Sequence, residues 1–185
     1  SRNNWYRRTP DYSHLNVETL IAKGIPEDKA KDIYERKMSE TPKVNGLWQV
    51  LERNESVMKY LRDDPGTVLY LECFGNVNCL KYQFPDGNRM AAFDIFRYGK
   101  FIDAPKFLEE CRKHEIPYAP VLAEGVPYEF DMVCSLAEGT TQAKDAKIGL
   151  MREGCVVSSE TERQVHRIGR SKLKFVSGLY LEKYR

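Results

Sequence analysis

Two short segments in the last third of the chain hold charge inside apolar runs: Arg152-Glu153-Gly154-Cys155-Val156-Val157 and Ser171-Lys172-Leu173-Lys174-Phe175-Val176-Ser177. Both have the β-branched character of strands. Successive side chains of a strand point to opposite faces, so Lys172 and Lys174 share one face while Leu173 and Phe175 share the other. Two ammonium groups side by side repel, and a fold tolerates them best where they converge on an anion such as a phosphate. The pattern therefore predicts a phosphate site. The competing reading is a solvated edge-strand face, where lysines block strand-to-strand aggregation.

The surrounding sequence must supply the scaffold for those groups. Asn16 is placed to cap a helix over 17–23 that Gly24 closes, and Pro26 opens a second over 27–38. Trp48, Val50, Leu51, Val57, Met58 and Leu61 predict an amphipathic helix broken near Asn54 and ended by Asp64-Pro65-Gly66. Residues 67–74 and 90–96 are rich in β-branched and aromatic types, with Pro85-Asp86-Gly87 between them, and read as antiparallel strands. Helical spacing returns over 104–113, a short strand is expected at 118–122, and a helix over 128–137. Two strands and a terminal Tyr/Lys/Glu segment complete the chain, with the polar stretch 158–170 between the strands. Helices interleaved with hairpin-like strands predict an α+β fold rather than a doubly wound parallel sheet.

At 185 residues, 42% of them hydrophobic and 11% aromatic, the chain can bury a core, and it reads as a single domain over 1–185. A formal net charge of +2 is too small for general polyanion binding, so any nucleic-acid affinity must come from local patches. Cysteines 73, 79, 111, 134 and 155 form no CxxC pair, and His14, His114 and His166 stand apart, so neither a zinc site nor a disulfide framework is signalled. That usage predicts a reduced, intracellular setting: cytoplasm, organelle or phage-infected cell. No apolar run approaches the roughly 18 residues of a membrane span, and no secretory leader is present. Trp5-Tyr6-Arg7-Arg8, basic with aromatics, suits either RNA contact or a loop over the domain.

The order of features resembles a known family. Tyr70-Leu71-Glu72-Cys73-Phe74-Gly75, Ala92-Phe93-Asp94-Ile95, Arg152-Glu153-Gly154-Cys155-Val156-Val157 and Lys172-Leu173-Lys174-Phe175-Val176-Ser177 resemble motifs III, IIIa, IV and V of the covalent nucleotidyltransferases, and the RNA ligase 2 type of RNA ligase most of all. Ser1-Arg2-Asn3 is similar to motif Ia. Each motif alone is weak; their order and spacing together are specific. The resemblance implies the nucleotidyltransferase (adenylation) fold, antiparallel sheets flanked by helices. It also implies ATP and AMP as ligands with Mg2+ or Mn2+, and RNA with 5′-phosphate and 3′-hydroxyl ends as substrate. Glu72 would accept a hydrogen bond from the ribose, and Phe93 would stack on adenine, worth about 1–3 kcal/mol per base. Glu153 would lie near the reactive lysine and hold the divalent ion. Lys172 and Lys174 would take the α-phosphate and offset charge developing in adenylate transfer. Arg2 would bind a phosphate through its guanidinium fork.

One departure bears on the chemistry. The family's motif I, Lys-x-Asp-Gly, supplies the amine that attacks ATP and should precede Ser1-Arg2-Asn3. The one lookalike, Lys43-Val44-Asn45-Gly46, follows motif Ia and has Asn in place of Asp. The nucleophile is therefore expected upstream, and the domain is expected to be incomplete at its N-terminus. A rival reading is a non-catalytic nucleotide- or RNA-binding module on the same fold; a nearer one is a DNA ligase or a capping guanylyltransferase.

Overall fold

The computed structural model describes residues 16–39, 46–76, 80–167 and 169–184. The chain divides into two compact units, Ser1–Gln49 and Val50–Arg185. In the first, helix α1 (Val17–Ala22) is capped as its sequence predicts: Asn16 Oδ1 accepts a hydrogen bond from the Thr19 amide at 2.6 Å. Helix α2 (Glu27–Ser39) begins with Glu27 and Asp28 and carries Arg36 and Lys37 in its last turn, the charge order its dipole favours. Leu20 and Ala30 are buried.

Helices α3 (Gly46–Glu52) and α4 (Glu55–Asp63) replace the single broken helix expected from the pattern. The break falls at Asn54, whose side-chain amide donates to the Val50 carbonyl at 2.6 Å in place of a continuing helical bond.

The second unit is built on a three-stranded antiparallel sheet, ordered β1 (Thr67–Phe74), β2 (Arg89–Arg97) and β3 (Lys100–Phe101). A tight turn joins β2 to β3, with Tyr98 and Gly99 both at positive φ, as a two-residue hairpin requires. On one face, Leu69, Leu71, Ala92 and Ile95 pack with Val57 and Tyr60 of α4, Cys111 of α5 (Ala104–Lys113) and Ile116. Burial, with the nearby Glu110 charge adding to it, pushes the Cys111 thiol up to about 12, so it is a neutral core group. Glu110 is also buried here. Burial alone would push its carboxyl up, but hydrogen bonds from Tyr60 at 2.9 Å and Arg97 at 3.2 Å hold it below the usual range.

A second sheet pairs β4 (Gly154–Ser158) with β7 (Lys172–Val176), antiparallel, Gly154 opposite Val176 and Ser158 opposite Lys172. Helix α6 (Phe130–Ala137) covers one face: the Phe130 and Phe175 rings lie 5.9 Å apart, and Cys155 Sγ is 3.8 Å from the Val133 carbonyl oxygen. Helix α7 (Gly178–Tyr184) follows, its first turn held by Glu138, which accepts from Ser177 Oγ at 2.7 Å and the Gly178 amide at 2.6 Å.

Both sheets are antiparallel and flanked by helices, the α+β arrangement expected. Two local readings differ. The strand expected at 118–122 is one parallel bridge, Tyr118 to Ala92; Pro120 has no amide to extend a ladder. The polar stretch 158–170 contains a hairpin, β5 (Gln164–Val165) with β6 (Gly169–Arg170), whose strands are too short to show alternation. No helix among the described residues is long and apolar enough to cross a membrane.

Candidate nucleotide site

The face of the first sheet turned away from the core carries the residues with chemistry. Strand alternation puts Val68, Tyr70 and Glu72 on it, opposite Phe96, Asp94 and Ala91. The register shifts between Tyr70 and Leu71, which pair with Asp94 and Ala92 and leave Phe93 as an extra residue: a β-bulge. The bulge turns Phe93 out of the core. Its ring is 46% exposed and lies 6.1 Å, centroid to centroid, from that of Tyr70. Tyr70 in turn meets Phe101 at 5.4 Å.

Asp94, on this same face, is the most buried charged group of the site, with its side chain only 6% exposed. Its Oδ2 accepts from Lys172 Nζ at 2.7 Å and from Arg170 Nη1 at 2.5 Å. Arg170 also grips Glu162 fork to fork, Nε to Oε1 at 2.9 Å and Nη2 to Oε2 at 2.6 Å, and its guanidinium carbon lies 3.3 Å from the Phe101 ring centroid. The Arg170 hydrogen bonds draw the Glu162 carboxyl below its usual range, outweighing the opposing effect of burial.

Two residues further along β7, Lys174 donates to Glu153 Oε1 at 2.6 Å. This pair is open to solvent, the lysine side chain 60% and the glutamate 36% exposed. The hydrogen bond to Glu153 raises the Lys174 ammonium above its ordinary value, and Glu72 adds to that shift from the other sheet. The phenol of Tyr82 is raised by burial and by the charges of Glu72 and Glu153, which places it at the same end.

Gly154 makes this geometry possible. It has φ +153°, and a Cβ there would stand 1.9 Å from the Phe175 carbonyl oxygen, so no side chain fits between Glu153 and β7. Gly75, after β1, is similarly crowded: a Cβ would meet Asn88 Oδ1 at 2.6 Å.

Contacts join two of the sequence-derived candidates, Phe93 and Lys172, through Tyr70, Phe101, Arg170 and Asp94; a third and fourth, Lys174 and Glu153, pair with each other, and the charge of Glu72 acts on Lys174. The two lysines do not meet a single anion. Each is held by its own carboxylate, Asp94 for Lys172 and Glu153 for Lys174. Arg2 and Lys43 lie outside the described residues. The sequence reading gave no role to Asp94, Arg170 or Glu162. The available signal was Asp94 itself, a lone carboxylate inside Ala92-Phe93-Asp94-Ile95, because a charge in an apolar strand needs a buried partner. His166, the histidine nearest Lys172 in sequence, is exposed on the β5–β6 turn, whereas His114 is half-buried against the Tyr60 ring at 4.9 Å.

No cluster of three or more His, Cys, Asp or Glu side chains among the described residues could cage a metal ion. The donor set at Glu153 suits a different arrangement. Its Oε1 accepts from Lys174, and its Oε2 takes no hydrogen bond among the described residues. Mg2+ is ordinarily bound by one or two carboxylates together with substrate phosphates, so a single half-exposed carboxylate would fit that ion only together with the phosphates of a bound nucleotide.

A family model described as RNA ligase matches residues 21–176. Among solved structures, the chain is similar to Naegleria gruberi RNA ligase with PPi, at 18% identity and a TM-score of 0.60, covering 78% of this chain and 42% of that one. Point mutants of the same ligase, one with ATP and Mn and one with AMP and Mn, match at 18% identity and a TM-score of 0.61 over the same shares of the two chains. The chain therefore spans about two fifths of the length of those structures, and the likeness shows the fold. No curated protein sequence matches it.

Proposed function

This chain belongs to the RNA ligase family, and from that premise we propose that it forms the nucleotide-binding part of an ATP-dependent RNA ligase, with the attacking lysine supplied from upstream of Ser1. The reaction has three steps. A lysine amine attacks the α-phosphorus of ATP; a P–N bond forms, the bond to the β-phosphate oxygen breaks, and pyrophosphate leaves. A 5′-phosphate of RNA then displaces the lysine and takes the adenylate. Last, a 3′-hydroxyl attacks that phosphate, forming the phosphodiester and releasing AMP.

In this reading Phe93 stacks on adenine, since the bulge leaves its ring in the open. Glu72 accepts from the ribose hydroxyls. Lys172 and Lys174 face the α-phosphate, and Arg2 binds a phosphate of the nucleotide or the RNA end. Mg2+ or Mn2+, held by Glu153 and the phosphates, supplies charge neutralisation at the oxygens. An ammonium has three protons to donate, and Lys172 commits one to Asp94, so two remain for phosphate oxygens. Lys174 is held by a solvent-exposed carboxylate that is itself a ligand candidate, so it can exchange Glu153 for phosphate at little cost.

The observation that supports this reading is that motif residues of the two sheets approach each other: Phe93 is joined to Lys172 through Tyr70, Phe101, Arg170 and Asp94, and the charge of Glu72 acts on Lys174, which is paired with Glu153. Relatives are seen with PPi, with ATP and Mn, and with AMP and Mn. The test is labelling by α-labelled ATP of this chain extended by its upstream sequence. A covalent adenylate, lost in Lys174→Ala, supports the proposal. ATP binding without any covalent product in the extended chain supports a binding module instead, and label undiminished by Lys174→Ala removes Lys174 from the chemistry.

A further inference from the structure

Arg170 is not among the motif residues, yet it makes the densest set of contacts in the site. Its three hydrogen bonds reach two carboxylates, and its flat face is stacked on Phe101. Asp94 belongs to the first sheet, while Arg170 leads directly into β7 of the second. The segment carrying Glu162 is itself clipped to the start of α5: the Glu162 amide donates to Asp103 Oδ1 at 2.7 Å, and the Ala104 amide donates to the Glu160 carbonyl at 3.1 Å. Two cations and two anions therefore form a neutral, mostly buried clasp between the sheets, with Lys172 at its inner edge.

We propose that Arg170 is a positioning residue for Lys172: anchored by Glu162 and Phe101, it fixes the Asp94 carboxylate, and Asp94 in turn holds the Lys172 ammonium toward the cleft. The proposal rests on the nucleotide-site reading above. Asp94 Oδ2 is shared by both cations, so its place is set by the more rigid of the two. That is Arg170, which has a fork-to-fork partner and a ring beneath it, whereas Lys172 has one hydrogen bond among the described residues. Removing the fork frees Asp94 to follow the flexible lysine, and the lysine then loses its fixed aim.

The experiment uses the extended chain that forms the lysyl-adenylate, with Arg170→Gln, Arg170→Lys and Glu162→Gln. Misplacing a catalytic cation by about 1 Å costs on the order of a hundredfold, so partial loosening in Arg170→Gln should slow adenylation by about tenfold or more. AMP affinity, measured by calorimetry with Mn2+, should stay within about twofold, because Phe93 and Glu72 are untouched. Arg170→Lys keeps the charge and loses the fork, so it should not restore the rate. The decisive arm is the double variant: Arg170→Gln added to Lys172→Met should slow the reaction no further than Lys172→Met alone. An unchanged rate, full multiplication of the two losses, or an equal loss in AMP affinity overturns the proposal. Should Arg170→Gln fail to fold, Arg170→Lys and Glu162→Gln carry the same comparison. A wild-type chain that neither binds AMP nor forms the adenylate would instead remove the nucleotide-site reading beneath it.

Discussion

Lys172 and Lys174 stand two residues apart on one face of one strand, and the carboxylates that hold them are set differently. At the Lys172 end the partner carboxylate is 6% exposed and shared with a stacked arginine; at the Lys174 end it is 36% exposed and has no second partner among the described residues. Charge that is buried and over-determined is fixed, because leaving any member unpaired is costly. Charge that is exposed and singly paired is exchangeable, because water can replace the partner. On the proposed reading, the site thus has one end that is set in advance and one that can hand its cation to a ligand. Pairs of identical type in a sequence need not do identical work.

The largest perturbation erases the difference altogether. Gly154→Ala forces a Cβ onto the Phe175 carbonyl oxygen, so both ends should fail together with a loss of about 3 kcal/mol or more in thermal unfolding. A melting temperature equal to wild type would mean that β4 and β7 do not approach as described.

A matched pair of variants sharpens the comparison. Asp94→Asn leaves Arg170 and Lys172 sharing one neutral amide in a buried position and should cost about 2–3 kcal/mol, while Glu153→Gln should cost less than about 1 kcal/mol. Equal costs by chemical denaturation would abolish the distinction between the ends.

Acid should act on the fixed end. Arg170 holds Glu162 below its usual range, so the stabilisation is complete above the ordinary glutamate value of about 4.3 and is lost as the pH falls through the lower native value. Glu162→Gln should therefore show a smaller fall in melting temperature between pH 5 and pH 3 than wild type. A fall of the same size would separate Glu162 from the acid sensitivity.

The smallest effect on stability belongs to the open end. Lys174→Ala should change unfolding by less than about 0.5 kcal/mol, yet still weaken ATP binding or slow adenylation. A variant with wild-type chemistry would leave Lys174 as a solvated surface residue.

The strands 67–74 and 154–158, the helix 104–113 and the cap at Asn16 were legible because each has a strong local signature: alternation, helical spacing or a capping side chain. The order of the motifs singled out Glu72, Glu153 and the two lysines, and the structure pairs Lys174 with Glu153. The clasp was not legible, because it is made by residues 94, 162 and 170, whose partnership exists only once two sheets and the β5–β6 hairpin are assembled. The same holds for Phe93. Its apolar surroundings in sequence suit a core residue, and only the bulge opposite Tyr70 and Leu71 turns it outward. Local periodicity reports faces of elements; it does not report which faces meet.

The most direct test of a shared nucleotide cleft is a crystal structure of this chain with AMP and Mn2+. The account predicts adenine against Phe93, the ribose at Glu72, the α-phosphate between Lys172 and Lys174, and Mn2+ at Glu153. AMP seated elsewhere, for instance in the cavity of about 290 Å³ lined by Arg53, Asn88 and Arg89, with those five side chains untouched, would contradict it.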